Sequence, residues 1–190
     1  MTGNPLETGW IRKVPLELVP PSLKDNRADV DRLLAGLTNA LNAGEVTLDL
    51  SLIRKIPGVL REGSYRTHCL VFEKHGGGWH LMDLYAPSKE GVLLGAAVDL
   101  GTTTVVVRLL DLVTGESRGE ASFPNPQIPL GADILTRIQH AARPQGLAEL
   151  RHVVLDGLNL ELRRLAQGAG VEVARIAGMS LAGNTTMSHL

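Results

Sequence analysis

Residues 95–116, GAAVDLGTTTVVVRLLDLVTGE, carry more information than the rest of the chain. Two apolar strands, Val92–Leu100 and Thr104–Leu112, fold back over the turn Asp99-Leu100-Gly101-Thr102-Thr103. A second turn, Val113-Thr114-Gly115-Glu116, leads into a third strand. An ordinary hairpin turn needs only residues tolerant of positive φ, such as Asn-Gly. Here an acid closes an apolar strand, a glycine strips the bend of a side chain, and Thr102, Thr103 and Thr104 follow. Gly101 lets a ligand approach the backbone, and the N–H groups and hydroxyls after it suit phosphate oxygens. Asp99 repels phosphate but suits Mg²⁺ or its water shell. The plain alternative is a hairpin with surface threonines. Against it stands the cost of an unpartnered Asp at the end of so apolar a strand.

Downstream, the loop Asn125–Pro129 precedes a predicted helix from Leu130 to Ala142, which Arg143-Pro144-Gln145-Gly146 breaks. A longer helix, Leu147–Gln167, has Leu150, Val154, Leu155, Leu158, Leu162 and Leu165 on its predicted buried stripe. After Gly168-Ala169-Gly170, Val173–Leu181 reads as a buried strand that delivers Gly183-Asn184-Thr185-Thr186 to its carboxyl end. Loops at strand carboxyl ends face the ligand crevice in open α/β sheets, so the two hydroxyl-rich turns are expected near one another. Asn184 and Thr185 can border a phosphate, or Asn184 can cap the next helix. Asp133 and Arg137, four apart, predict an ordinary exposed ion pair. Asp111 and Glu116 fall to the distal turn.

Upstream, residues 1–21, punctuated by Pro5, Pro15, Pro20 and Pro21, read as an extended linker. Ser22 with Asp25 forms a weak capping box. Val30, Leu33, Leu34, Leu37 and Leu41 then line one helix face, and Asn42-Ala43-Gly44 ends it. Val46–Leu50 reads as a short strand. Leu52–Ile56 opens a short helix that Pro57-Gly58 bends or ends. Tyr65–Lys74 and Trp79–Tyr85 flank His75-Gly76-Gly77-Gly78 as a hairpin. Residues 22–85 thus form a small α+β unit, 86–91 a polar linker, and 92–190 the second unit.

The 190 residues, 44% hydrophobic with net charge −1, suit one or two soluble domains. The 19 Lys+Arg are dispersed, leaving no basic stripe for nucleic acid. No apolar run approaches the roughly 20 residues of a membrane span, and no signal peptide opens the chain, so a cytoplasmic location is the expectation. Cys69 is the single cysteine. A two-iron cluster needs about four ligands, usually thiolates, so this chain holds none. Cys69 reads as a small buried hydrophobe. The six histidines, including His68, His75 and His80 around the hairpin, show no metal-ligand spacing.

The D-x-G-T-T-T turn and its following V-V-V-R-L-L-D-L-x-T-G-E strand resemble the first phosphate loop of the acetate and sugar kinase, heat-shock ATPase and actin superfamily. Pro124-Asn125-Pro126-Gln127, Gly131-Ala132-Asp133-Ile134-Leu135-Thr136-Arg137-Ile138 and Ala182-Gly183-Asn184-Thr185-Thr186-Met187 resemble the reductive activators of corrinoid proteins. The opening Pro20–Asp29 segment is similar to the stretch after the ferredoxin domain there. This resemblance covers nearly the whole chain. It implies an α/β architecture: a small α+β middle domain (22–85), then the first half of an actin-like, ribonuclease-H-like ATPase domain. It also implies Mg-ATP as cofactor, with Asp99 positioning Mg²⁺ and Gly101, Thr102, Thr103, Thr104, Asn184 and Thr185 around the phosphates. A two-iron cluster in the longer protein is implied too, with a corrinoid iron–sulfur or methyl-carrier partner of methyl-transfer metabolism and an electron donor. A homodimer is left open.

Such ATPases close two halves, each with a phosphate loop, over the nucleotide, and one D-x-G-T occurs here. The chain thus reads as an internal or truncated piece, expected to bind ATP weakly by itself. Two rival readings stand. A kinase of the same superfamily would need a carboxylate base near the cleft, and Asn184 is none. A non-catalytic interaction module would keep the fold alone.

Overall fold

The computed structural model describes residues 9–89 and 91–189, and the chain divides between Gly91 and Val92 into two compact units. In the first, strands β1 (Ile11–Glu17), β2 (Val46–Leu48), β3 (Arg66–Glu73) and β4 (Trp79–Tyr85) form a sheet in the order β1-β3-β4-β2. β1 and β4 run antiparallel to β3, and β2 joins β4 in parallel. Helices α1 (Asp29–Leu41), α2 (Leu50–Ile53) and α3 (Ile56–Glu62) complete the unit. Leu33 and Leu37 of α1 and Ile56 and Leu60 of α3 are wholly buried against Cys69, Val71, Leu81 and Leu84 of the sheet. Each such side chain contributes about 1.5–3 kcal/mol on leaving water. Burial pushes the Cys69 thiol up to about 12, so it packs as a hydrophobe rather than reacting.

Three local expectations change here. The stretch read as linker contains β1, an edge strand that accommodates Pro15 because a sheet edge need not use every N–H. The first helix starts at Asp29, not after Ser22. Ser22 and Asp25 instead bridge each other, and Asp25 bonds Arg27 and the buried Arg32, which also donates to the Val19 carbonyl. The two guanidiniums, Arg27 first, hold the Asp25 carboxyl well below its usual range. Pro57 opens α3 rather than ending a helix, since a first-turn proline removes only an N–H with no intrahelical partner. The hairpin loop behaves as read: Gly76, Gly77 and Gly78 have φ of 94°, 98° and 78°.

In the second unit, β5 (Leu94–Leu100), β6 (Thr104–Asp111) and β7 (Ser117–Pro124) form an antiparallel meander. Helices α4 (Ile134–Ala141) and α5 (Gly146–Gly168) lead to β8 (Ile176–Gly183), which pairs with β5 in parallel, giving the order β7-β6-β5-β8. A short helix, α6 (Thr185–His189), follows. This is the mixed α/β, ribonuclease-H-like arrangement expected from the sequence. Alternation sends Leu94, Ala96, Val98 and Leu100 of β5 and Val105, Val107 and Leu109 of β6 toward α5, where Val154, Leu158 and Ala166 meet the sheet. Gly157 lets α5 lie against Pro126, since a Cβ there would come within 2.6 Å of the ring.

β8 is not the buried strand expected. Residues Val173–Arg175 form a 3₁₀ turn, and Met179 and Leu181 remain half exposed beside Leu155. α5 packs over β6 and β7, so the same face of β8 lies beyond its cover and Leu155 falls outside the buried stripe. No helix among the described residues is long and apolar enough to cross a membrane.

At the far end of the meander, buried Asp111 accepts from the Val113 and Thr114 amides and from Arg118 at 2.6 Å. Burial raises its pKa, but the Arg118 bond and the two amides outweigh that and hold the carboxyl below its ordinary 3.8. A carboxyl with depressed pKa contributes stability above its unfolded value and loses it as pH falls. Thermal melts from about pH 6 down to pH 3 should therefore show an acid limb that Asp111→Asn flattens, at lower stability near neutrality. An unchanged limb would assign the acid sensitivity elsewhere.

Candidate functional site

The turn between β5 and β6 is built by turning its carbonyls inward. Asn125, buried, donates from Nδ2 to the Gly101 carbonyl at 2.8 Å and from its backbone N–H to the Thr103 carbonyl at 2.8 Å. Arg137 donates from Nη2 to the Thr102 carbonyl at 2.6 Å. No peptide bond is cis, so each N–H points opposite to the carbonyl of its own peptide unit. The amides of Thr102 and Thr103 thus face away from Asn125 and Arg137, and among the described residues they donate to no protein acceptor. Two outward amides on a tight turn offer a pair of free donors side by side.

Gly101 is required for a reason the sequence did not disclose. Its φ is not left-handed, but a Cβ would stand 2.5 Å from the Thr104 carbonyl oxygen. The backbone doubles back too closely for any side chain. Thr104 opens β6 opposite Pro124 with its side chain exposed, and Thr102 and Thr103 occupy the turn itself.

Asp99 points to the sheet face opposite α5 and is exposed. The cost of burial that argued for a partner therefore does not arise. Its carboxylate lines a groove of about 280 Å³ with Ala97, Val106, Arg108, Ser180 and Ala182. Small side chains on β5 and β8 make that groove, because Ala97 sits beside Ser180 and Asp99 beside Ala182 in the parallel register. Arg108 is ion-paired across the sheet to Glu120.

The second hydroxyl-rich turn arrives where expected. Asn184 follows β8 and does two jobs at once. Its Oδ1 accepts from the Met187 amide at 3.0 Å, capping α6, while Nδ2 donates to the Thr102 hydroxyl at 3.1 Å. Thr185 opens α6 with an exposed side chain. The structure thus joins Thr102 to Asn184 directly and sets Asp99 in the adjoining groove.

Arg137 overturns the expected exposed ion pair. It is fully buried, bonding Gly131 O through Nε at 2.8 Å and Gln127 Oε1 through Nη1 at 3.0 Å. Asp133 instead caps α4, its side chain accepting from the Thr136 amide at 2.9 Å. The buried Gln127 continues the chain by donating to the Leu150 carbonyl of α5 at 3.2 Å. Asn125, Gln127 and Arg137 are the site residues that sequence reasoning missed. The available signal was two amides spaced by prolines at a strand's end, with an Arg between Thr136 and Ile138 on the next helix.

Family models match almost the whole described chain: the RACo linker region over residues 9–91 and the RACo middle region over residues 94–190. Residues 22–85 lie in the stretch matched by the linker-region model, and the β5–α6 unit in the stretch matched by the middle-region model. A corrinoid activation enzyme of Eubacterium limosum, RamQ, is 31% identical over 148 residues, 76% of this chain and 24% of its own length. A solved reductive activator for a corrinoid, iron–sulfur protein superposes with TM-score 0.79 at 34% identity, covering 95% of this chain and 28% of its own. The chain therefore spans about a quarter of the length of these relatives. By sequence models and by backbone alike, it belongs to the RACo family of reductive activators of corrinoid proteins.

Proposed function

We propose that this chain supplies the first phosphate-binding half of an ATP-dependent activator that returns a Co(II) corrinoid protein to Co(I). Electrons would come from an iron–sulfur centre outside these residues. The observation that carries the reading is the turn at Gly101–Thr103, its carbonyls fixed inward and two amides facing outward beside Asn184. That donor set fits a polyphosphate, and the exposed Asp99 carboxylate fits Mg²⁺ or its waters. Bound Mg-ATP supplies the binding and hydrolysis energy that favours a closed conformation.

In this reading the Thr102 and Thr103 amides and the Thr102 hydroxyl hold phosphate oxygens, Asn184 orients that hydroxyl, and Asp99 orients the metal's water shell. Thr104 and Thr185 lie at the margins. Coupling to cobalt reduction requires that ATP bind the closed state more tightly than the open one. The relatives are named for corrinoid activation, which makes a corrinoid protein the partner to test. The full-length protein should be mixed with a Co(II) corrinoid protein, ATP and a reductant while the Co(I) spectrum is followed. Co(I) formation only when all components are present supports the reading; equal formation without ATP ends it.

Asp99→Asn in the full-length protein should fold normally but bind Mg-ATP roughly tenfold to a hundredfold more weakly, about 1.5–3 kcal/mol. Undiminished affinity in calorimetry would remove Asp99 from the site. Gly101→Ala should force the turn away from the Thr104 carbonyl, lowering stability by about 1–3 kcal/mol and weakening nucleotide binding with it. A variant as stable as the parent would show that the turn relaxes without cost.

A further inference from the structure

Arg137 is buried without a bonded carboxylate. Among the described residues its guanidinium meets only neutral acceptors: the Gly131 and Thr102 carbonyls, Gln127 Oε1 and, at 3.3 Å, the Met187 thioether. Burial lowers the guanidinium's pKa and the Asp133 carboxylate, which does not bond it, offsets that only in part. Four acceptors spread around one side chain need the five-donor fork of a guanidinium, since a neutral amide offers only two N–H groups. The charge that comes with that fork also acts on the groups it touches.

The direction of its shortest bond shows where. The Thr102 carbonyl shares a peptide unit with the Thr103 N–H, which points away from Arg137 toward the outer side of the turn. A cation on the carbonyl polarises that unit and makes the outward amide a stronger donor to an anion. Arg137 also reaches the second turn, since the Met187 that receives Nη1 donates its amide to Asn184, whose Nδ2 holds the Thr102 hydroxyl. One side chain thus fixes both turns from behind.

We infer that Arg137 is a positioning residue of the phosphate turn, its guanidinium acting through the Thr102–Thr103 peptide on a bound polyphosphate that it never touches. This rests on the nucleotide reading above. The ligand class it favours is the triphosphate tail, not the nucleoside, because the field is directed at the turn. Replacing the charge should cost anion affinity and leave affinity for an uncharged nucleoside unaltered.

The test compares the full-length protein with Arg137→Gln, Arg137→Lys and Gln127→Glu. The last sets a carboxylate where Gln127 Oε1 now meets Arg137 and gives up the Nε2 bond to the Leu150 carbonyl, a structural loss that the melts and the adenosine arm report separately from the anion arm. Calorimetry with Mg-ATP, inorganic tripolyphosphate and adenosine, alongside thermal melts, reads the outcome. Arg137→Gln and Gln127→Glu should each bind Mg-ATP and tripolyphosphate about tenfold more weakly with adenosine affinity unchanged, and Arg137→Lys should recover most of the loss. Equal losses for adenosine and tripolyphosphate, or a folded Gln127→Glu protein with parental tripolyphosphate affinity, would reduce Arg137 to a structural hub and overturn the inference. If Arg137→Gln does not fold, Gln127→Glu decides. Failure of the unaltered protein to bind either anion would remove the nucleotide reading itself, and this inference with it. Loss in the variants alone leaves that reading standing.

Discussion

Three carbonyl groups facing inward set the geometry on which the β5–α6 unit's site depends. A tight turn after a buried strand exposes a run of peptide groups, and each must point its oxygen or its N–H toward the protein. Asn125 and Arg137 settle the choice by supplying donors from behind to Gly101, Thr102 and Thr103. Once the oxygens are fixed, planarity fixes the amides, and the Thr102 and Thr103 N–H groups are left facing outward. The donors themselves are held in turn. Asn125 accepts from the Gln127 amide at 2.8 Å, and Gln127 bonds both Arg137 and the α5 carbonyl of Leu150. The site's rigidity therefore traces to a helix whose own role is to cover the sheet.

That arrangement explains which parts were legible in the sequence. Strands β5 and β6 were readable because apolar alternation and the Asp99–Thr103 punctuation are local signals. The meeting of Thr102 with Asn184 followed from a topological rule about strand carboxyl ends, and it holds at 3.1 Å. The behaviour of Arg137 was not readable. Spacing of four from Asp133 predicts a surface pair, but it says nothing of which helix face turns inward. Here Asp133 satisfies the start of α4 and Arg137 descends into the polar seam under the turn. Charge was weighed as a surface property, and tertiary satisfaction of backbone carbonyls won.

Similar competition accounts for the smaller differences. Leu155 fits the helical period of the buried stripe, yet α5 lies over β6 and β7, so the side chain emerges beside β8. Periodicity finds the apolar face of a helix; how wide a sheet it covers is set by packing. In the first unit, Pro15 and Pro20 suggested a linker, but β3 has an edge that β1 can pair with despite a missing N–H. Asp25, spaced from Ser22 like a cap, is captured by Arg27 and Arg32 because a charge-assisted bond to a guanidinium outweighs a single bond to a helix amide.

The reason for singling out Asp99 changes in the fold. Its position at the end of an apolar strand suggested a costly burial that a metal would relieve. In the fold, strict alternation turns Val98 and Leu100 toward α5 and Asp99 toward the open face, where water solvates it freely. What singles Asp99 out is instead its surroundings: Ala97, Ser180 and Ala182 leave a groove that its side chain lines, just before the turn with the two outward amides. In the proposed nucleotide reading the outward amides would attract a phosphate that the acid beside them repels. A divalent cation between the two would make them complementary, which is why that reading pairs the turn with a metal complex rather than a free polyphosphate.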